Sequence, residues 1–104
     1  MYIIFGQEVA EKIQTNYTLL PLEEISYNNK LTRAYCVVPA EKLDIFNLAN
    51  LDNDKQAHKN FLTEYENKNF NYCIEHYANL KGKFGGELDS FYDEIIKRIT
   101  NQNQ

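Results

Sequence analysis

The chain has 104 residues, of which 43% are hydrophobic and 25% are charged, and its net charge is −4. This length corresponds to one domain that can bury a core without a metal ion or disulfides, and the composition excludes a disordered chain. Neither half of the sequence is basic, which argues against a nucleic-acid-binding protein because such proteins present a basic face to the phosphates.

The sequence gives no sign of membrane insertion or export. No segment approaches the ~20 apolar residues that a spanning helix needs, and the N-terminus lacks the charged start and the long apolar core of a signal peptide. The two cysteines, Cys36 and Cys73, lie in different predicted elements and give no disulfide framework. We therefore expect a cytoplasmic protein with reduced thiols and no membrane partner.

The chain begins with a predicted strand and a short predicted helix. The apolar run at 2–5 is too short for a helix and rich in aromatic and β-branched residues, so it predicts a strand buried on both faces. Residues 7–14 follow as a short amphipathic helix, because Val9, Ala10 and Ile13 share one face.

A β-hairpin is predicted next, with arms at 17–27 and 31–38. The intervening Asn28-Asn29-Lys30 is a turn signal, since asparagine tolerates left-handed backbone conformations. Pro21 interrupts the first arm and indicates an edge position or a bend there. Residues 1–39 are therefore expected to form a small antiparallel or mixed sheet of three strands with one helix.

Residues 40–99 are predicted to be helical. The part at 40–51 is a short helix or an irregular connection, and Asp52-Asn53-Asp54 is a turn and an N-cap cluster for the helix that follows. Three amphipathic helices are then expected at 54–66, 70–81 and 87–99, joined by short loops, so neighbouring helices should be antiparallel. The polar stretch 100–104 is expected to be a flexible tail of this single domain, 1–99.

Each of these helices has a predicted apolar face. The predicted core residues are Ala57, Phe61, Leu62 and Tyr65 on the first helix, Phe70, Cys73, Ile74, Tyr77 and Leu80 on the second, and Leu88, Phe91, Tyr92, Ile95, Ile96 and Ile99 on the third. The fold class that follows is α+β, with a β-rich N-terminal part and a C-terminal unit of three helices.

The first two of these helices resemble a single tetratricopeptide (TPR) unit. The resemblance lies in Tyr65 at the end of one helix, the turn 67–69, Phe70 and the pair Cys73-Ile74, together with Tyr77. It implies a helical hairpin with Cys73 at the small position where the helices cross, a capping role for the third helix, and a geometry that binds peptides or proteins. The Trp and Leu-Gly positions of the family are not matched, and there is no second copy of the unit.

The whole sequence also resembles small uncharacterised proteins of tailed phages, and this resemblance implies no activity.

One candidate metal or catalytic cluster is His58, Cys73 and His76. Cys73 and His76 are three residues apart on one predicted helix, and His58 on the preceding helix lies at a similar height, so the three could converge on a transition metal. The alternative is that Cys73 is a buried packing residue and both histidines are surface or boundary residues. A small metal-binding protein or enzyme that uses these three residues is therefore an alternative function.

The segment Lys81-Gly82-Lys83-Phe84-Gly85-Gly86 is a second candidate site. Two lysines beside a glycine-rich turn at a helix N-terminus can bind an anion through backbone N–H groups, which leaves a nucleic-acid-directed regulator as a further alternative. However, Glu87 and Asp89 in the following turn would repel phosphate. The alternative is an interhelical loop with Phe84 packed inward.

The function expected first is a non-catalytic protein–protein interaction module, a small adaptor or assembly subunit without a cofactor. Each candidate catalytic cluster is explained more simply by core packing or by a solvated surface, and the TPR-like hairpin is a geometry that binds peptides or proteins. Candidate interface residues are Tyr72, which falls off the apolar face of its helix, with Lys81, Lys83 and Phe84. A homo-oligomer is also expected to be possible, because a short sheet leaves an edge to cover.

Overall fold

The computed structural model describes residues 2–14 and 17–102 and has the α+β fold predicted from the sequence. Its elements in chain order are β1 (Tyr2–Phe5), α1 (Gln7–Ile13), β2 (Thr18–Tyr27), β3 (Lys30–Val38), a 3-10 turn (Ala40–Lys42), α2 (Ile45–Ala49), α3 (Leu51–Glu66), α4 (Phe70–Leu80), a second 3-10 turn (Lys83–Gly86) and α5 (Asp89–Gln102). Strands and helices are thus segregated along the chain, apart from α1.

The three strands form one antiparallel sheet in the order β1-β3-β2. The hairpin between β2 and β3 turns through Asn28 and Asn29, whose φ angles are 52° and 64°. Positive φ at both central residues matches the right-handed twist of the flanking strands, and asparagine adopts it at low cost. The predicted hairpin and its turn are confirmed.

The interruption at Pro21 is a bulge in an edge strand. The pairing register of β2 against β3 shifts between Pro21 and Glu24, and β2 has β3 as its only neighbour in the sheet. Proline lacks the N–H that a central strand needs, so both features follow from its chemistry.

The strand β1 is not buried on both faces, and this part of the prediction is wrong. It lies at the other edge of the sheet, where Tyr2, Ile3 and Phe5 remain exposed. A continuous apolar run is typical of a central strand, but with one neighbour and little helical cover four such residues cannot all be enclosed.

The helices α3 and α4 form a hairpin through residues 67–69, and α5 packs against α4. The start of α3 differs from the prediction: the helix begins at Leu51 after Asn50, which makes no side-chain cap hydrogen bond. Asp52 and Asp54 therefore lie inside the first turn, where their charges favour the helix dipole, instead of capping it.

The last helix runs from Asp89 to Gln102, beyond the predicted end at residue 99. The part of the predicted tail at 100–102 is therefore helical, and residues 103 and 104 lie outside the described part of the chain. Polar residues are tolerated in a final turn because its side chains need no partner in the core.

One core joins the helical layer to a single face of the sheet. It includes Leu20, Leu22, Ala34, Cys36 and Val38 from the strands and Phe61, Cys73, Leu80, Phe84, Leu88, Tyr92, Ile95 and Ile99 from the helical part. The opposite face of the sheet carries Leu19 and Tyr35 beside α1.

Two predicted core positions are wrong. Ile74 is 51% exposed, because the inward side of α4 is centred on Cys73 and Leu80. Ala57 is also exposed, and the neighbouring His58 occupies the inward position on α3. His58, Phe61, Leu62 and Tyr65 have the helical spacing of one face, so the sequence pattern did contain this assignment.

Candidate functional site

The imidazole of His58 is fully buried and hydrogen-bonded at both ring nitrogens. Its Nε2 lies 2.6 Å from the carbonyl oxygen of Pro21, and its Nδ1 lies 2.7 Å from the hydroxyl of Tyr92. Because a carbonyl can only accept, Nε2 carries the proton and donates, and Nδ1 accepts from Tyr92. The prediction that both histidines are surface or boundary residues is therefore wrong for His58.

This arrangement ties three elements together, namely the β2 bulge, α3 and α5. The rings of Phe84, Phe91 and Tyr92 surround the imidazole at centroid distances of 6.2, 6.1 and 5.7 Å. Burial lowers the pKa of His58 from 6.5 to about 4. The imidazole is thus neutral and serves as a structural hydrogen-bonding group.

Both cysteines are packing residues in the core. The thiol of Cys73 lies 3.6 Å from the carbonyl oxygen of Phe61, at the contact between α4 and α3. Burial raises the pKa of Cys73 and of Cys36 to about 11, so neither is a thiolate near neutral pH. A cysteine nucleophile has no support from this geometry.

The predicted convergence of His58, Cys73 and His76 on a metal ion does not occur. His58 has both nitrogens engaged, Cys73 faces the core, and His76 stacks on Tyr72 instead. Within residues 2–14 and 17–102, no three His, Cys, Asp or Glu side chains are grouped so that they could hold a metal ion.

Carboxylates of the protein already bind the donor groups of the glycine-rich loop. The N–H of Gly82 donates to Oδ1 of Asp89 at 2.8 Å, and the ammonium of Lys81 lies 3.1 Å from Oδ1 of Asp93. The hydroxyl of Tyr77 also donates to Asp93. An incoming phosphate would have to displace these carboxylates, so the loop does not present an open anion site.

The glycine at position 85 is explained by the close approach of this loop to the first 3-10 turn. A Cβ on Gly85 would overlap the carbonyl oxygen of Lys42, and its φ of +65° is in the left-handed region. Phe84 has a φ of 55° and is buried in the core, held there by its packing beside His58. The prediction that Phe84 is an interface residue is therefore wrong, since its ring is inaccessible to a partner.

The helix α2 carries an exposed apolar surface that the sequence did not reveal. Ile45, Phe46 and Leu48 are 78, 78 and 58% exposed. We call these three residues the α2 ridge. The sequence pattern predicts a short helix or an irregular connection here, but positions 45, 46 and 48 spread over nearly half of the helix circumference and are hard to bury together in one core. That geometric conflict was the available signal.

A second surface feature lies between α3 and α4 next to the second 3-10 turn. This depression, the α3–α4 pocket, has a volume of about 400 Å³, and its polar lining consists of Asn53, Asp54, Tyr72, His76, Asn79 and Lys83. The rings of Tyr72 and His76 stack with a centroid distance of 4.1 Å. Tyr72, expected to be exposed, is half-buried, and it lines this pocket together with Lys83.

Comparison with protein-family models, with curated proteins and with solved structures finds no match for this chain. Among the residues that the structure describes, no helix has the length and apolar character required to cross a membrane. The fold and the two surface features are therefore the basis for the function proposed below.

Proposed function

We propose that the protein is a non-catalytic protein-interaction module, a small adaptor or assembly subunit of the cytoplasm, that binds a protein partner through the α2 ridge. The observation that carries this proposal is the exposure of Ile45, Phe46 and Leu48 on a single short helix. Exposed large apolar side chains cost solubility, and several of them on one short helix are typical of an interaction surface.

The α2 ridge is held in a defined conformation. The carboxylate of Asp44 caps the helix by accepting from the N–H of Asn47 at 2.8 Å and from its side-chain amide at 3.0 Å. The side-chain amide of Asn50 donates to the carbonyl oxygen of Phe46 at 3.0 Å. A partner would therefore meet a pre-ordered surface, which reduces the entropic cost of binding.

The α3–α4 hairpin supports the same proposal through its resemblance to a single TPR unit, with α5 as its cap. In this interpretation the hairpin and the core are the scaffold, and the partner contacts the helix that precedes them. The partner is either another protein or a second copy of this chain, since an exposed apolar surface can also be covered by self-association.

The two alternative functions find no support among the described residues. The proposed metal ligands His58 and Cys73 are engaged inside the core. Lys81 is paired with Asp93, and Lys83 lies 4.0 Å from Asp54, so the lysines expected to contact nucleic acid are balanced by carboxylates.

Affinity capture with matched variants tests the proposal. The double variant Ile45→Asp/Phe46→Asp places two charges on the α2 ridge. We expect the amount of captured partner to fall at least tenfold, because apolar anchors dominate such interfaces. The control is Ile74→Asp, which adds a charge at another exposed isoleucine, on α4. Light scattering on the same proteins detects partnership with a second copy.

Loss of the partner, or of the dimer, in the double variant alone would support the proposal. Equal loss in the control would mean that any added charge disrupts binding and would contradict a role for α2. The proposal would also be contradicted if the wild-type chain were monomeric and captured the same proteins as the double variant.

A further inference from the structure

The α3–α4 pocket gathers polar side chains that could bond to a ligand. Within the described ranges, none of Asn53, Asp54, Tyr72, His76, Asn79 and Lys83 makes a side-chain hydrogen bond to another protein group. The pocket thus offers several hydrogen-bonding groups close together to a ligand.

Asp54 is the less exposed of the two charged groups of the pocket, the other being Lys83. Its side chain is only 14% exposed, and its nearest cation, the ammonium of Lys83, lies 4.0 Å from Oδ1, beyond hydrogen-bonding distance. A partly buried carboxylate can form a stronger, charge-assisted contact with a directly bonded cation. The Lys83 side chain is 42% exposed, so its ammonium can be solvated when another cation takes its place.

The aromatic wall of the pocket has the complementary chemistry. Tyr72 and His76 stack at an interplanar angle of 36° and line the same pocket as Asp54. A planar cation is attracted both to the face of a tyrosine ring and to a carboxylate, and guanidinium has the flat shape and the forked donors to use both at once. The chain's net charge of −4 also favours approach of a basic partner.

Two of the elements that line the pocket are neighbours of α2. Asn53 and Asp54 belong to the first turn of α3, which follows α2 after one residue, and Lys83 belongs to the 3-10 turn that contacts α2. A polypeptide seated on the ridge would therefore have the pocket within reach of a long side chain.

We propose that the α3–α4 pocket binds an arginine side chain of the protein partner, whose guanidinium replaces Lys83 at the Asp54 carboxylate and packs on the stacked rings of Tyr72 and His76. This inference rests on the proposed function, because it supplies the chemistry of the partner. Arginine is preferred to lysine because only guanidinium combines the planar stack with a forked contact to the carboxylate.

The test is an NMR titration of the ¹⁵N-labelled full chain with the blocked peptide acetyl-Gly-Arg-Gly-amide, with the neutral citrulline peptide as the matched control. We expect saturable shifts at the amides of Asp54, Tyr72 and His76 with the arginine peptide and none with citrulline. Equal shifts with both peptides, or no shifts at these amides, would overturn the proposal.

Three variants assign the contacts. Asp54→Asn should weaken binding of the arginine peptide about tenfold or more, while Asp52→Asn, in the same turn but outside the pocket, should leave it unchanged. Lys83→Met should tighten binding by about threefold because it removes the competing ammonium. Equal weakening by Asp54→Asn and Asp52→Asn, or weaker binding by Lys83→Met, would contradict the assignment.

Two further arms identify the source of the cation and separate this proposal from the function of α2. Agmatine, a free guanidinium compound, should bind more weakly than the peptide if the natural ligand is a polypeptide, and tighter binding of agmatine would refute that source. The Ile45→Asp/Phe46→Asp variant should still bind the peptide, so failure of the ridge leaves this titration intact. A wild-type chain that keeps its partner but gives no peptide shifts would overturn the pocket proposal alone.

Discussion

The two histidines of the chain lie in opposite environments, and their difference separates structure from function in this protein. His58 is enclosed in the core with both nitrogens bonded, whereas His76 lies at a surface pocket with its ring against Tyr72. The side chains with the most reactive chemistry, His58 and the two cysteines, stabilise the interior. Unpartnered groups are found instead on the α2 ridge and in the α3–α4 pocket.

The largest expected effect on stability comes from changing the buried histidine, His58. His58→Ala would remove a packed ring and leave the Pro21 carbonyl and the Tyr92 hydroxyl without their partner, so we expect a loss of about 3–5 kcal/mol in the free energy of unfolding. Urea denaturation measures it. His76→Ala is the matched control, with an expected change below about 1 kcal/mol. Similar losses in both variants would remove the distinction between the two histidines.

The pH dependence of stability sharpens the same comparison. In the unfolded chain His58 takes up a proton near pH 6.5, but in the folded chain its pKa is about 4, so stability should fall as pH drops from 6.5 to 4. This pKa shift corresponds to a contribution of roughly 3 kcal/mol to the free energy of unfolding, which is fully present above pH 6.5 and lost as the pH falls to 4.

Denaturation of the wild type and of His58→Gln between pH 7 and pH 4 isolates this contribution. Lys59 is the nearby charged group that also disfavours the imidazolium, and Tyr92 is the hydroxyl that contacts it. The His58→Gln variant should show a shallower loss across this range. An identical slope in the two proteins would contradict a buried neutral His58.

A smaller loss is expected in the glycine-rich loop. Gly85→Ala would drive a methyl group into the carbonyl of Lys42 at a positive φ, and we expect a loss of about 2 kcal/mol in the free energy of unfolding. Gly82→Ala also has positive φ but meets open space, so it should cost about 1 kcal/mol. A larger effect at Gly82 would mean that the loop is not fixed by its contact with Lys42.

Much of the fold could be predicted because local chemistry and burial agree there. The Asn28-Asn29 turn, the bend at Pro21 and the apolar spacing of α5 each follow from one dominant local signal. The burial of Phe84 also agreed with the simpler interpretation of the loop. The exposure of β1 could not be predicted, because an apolar run does not report how many neighbours a strand will have.

The candidate site is harder to predict from the sequence, because it depends on contacts between residues that are far apart along the chain. His58 lies at a regular core spacing with Phe61 and Leu62, but its partners on β2 and α5 are far along the chain. The α3–α4 pocket depends on the relative placement of α3, α4 and the second 3-10 turn. The sequence indicates Tyr72 and Lys83 as candidates, but it places Asp54, the carboxylate of the pocket, in a helix-cap cluster.

The smallest expected effect on stability concerns the α2 ridge. Ile45 and Phe46 are mostly exposed, so changing both to aspartate should alter the free energy of unfolding by less than about 0.5 kcal/mol. Thermal denaturation followed by circular dichroism measures it. A loss of several kcal/mol would show that these side chains belong to the core of the free protein.

The most direct measurement of the central claim is photo-crosslinking from position 46. A photoreactive phenylalanine analogue at Phe46, in the chain expressed in its native cells, should crosslink to one protein partner or to a second copy of the chain. The same analogue at Ile74, an exposed position on α4, is the control and should not crosslink to that partner. Abundant crosslinks from position 74 with none from position 46 would contradict an interaction surface on α2.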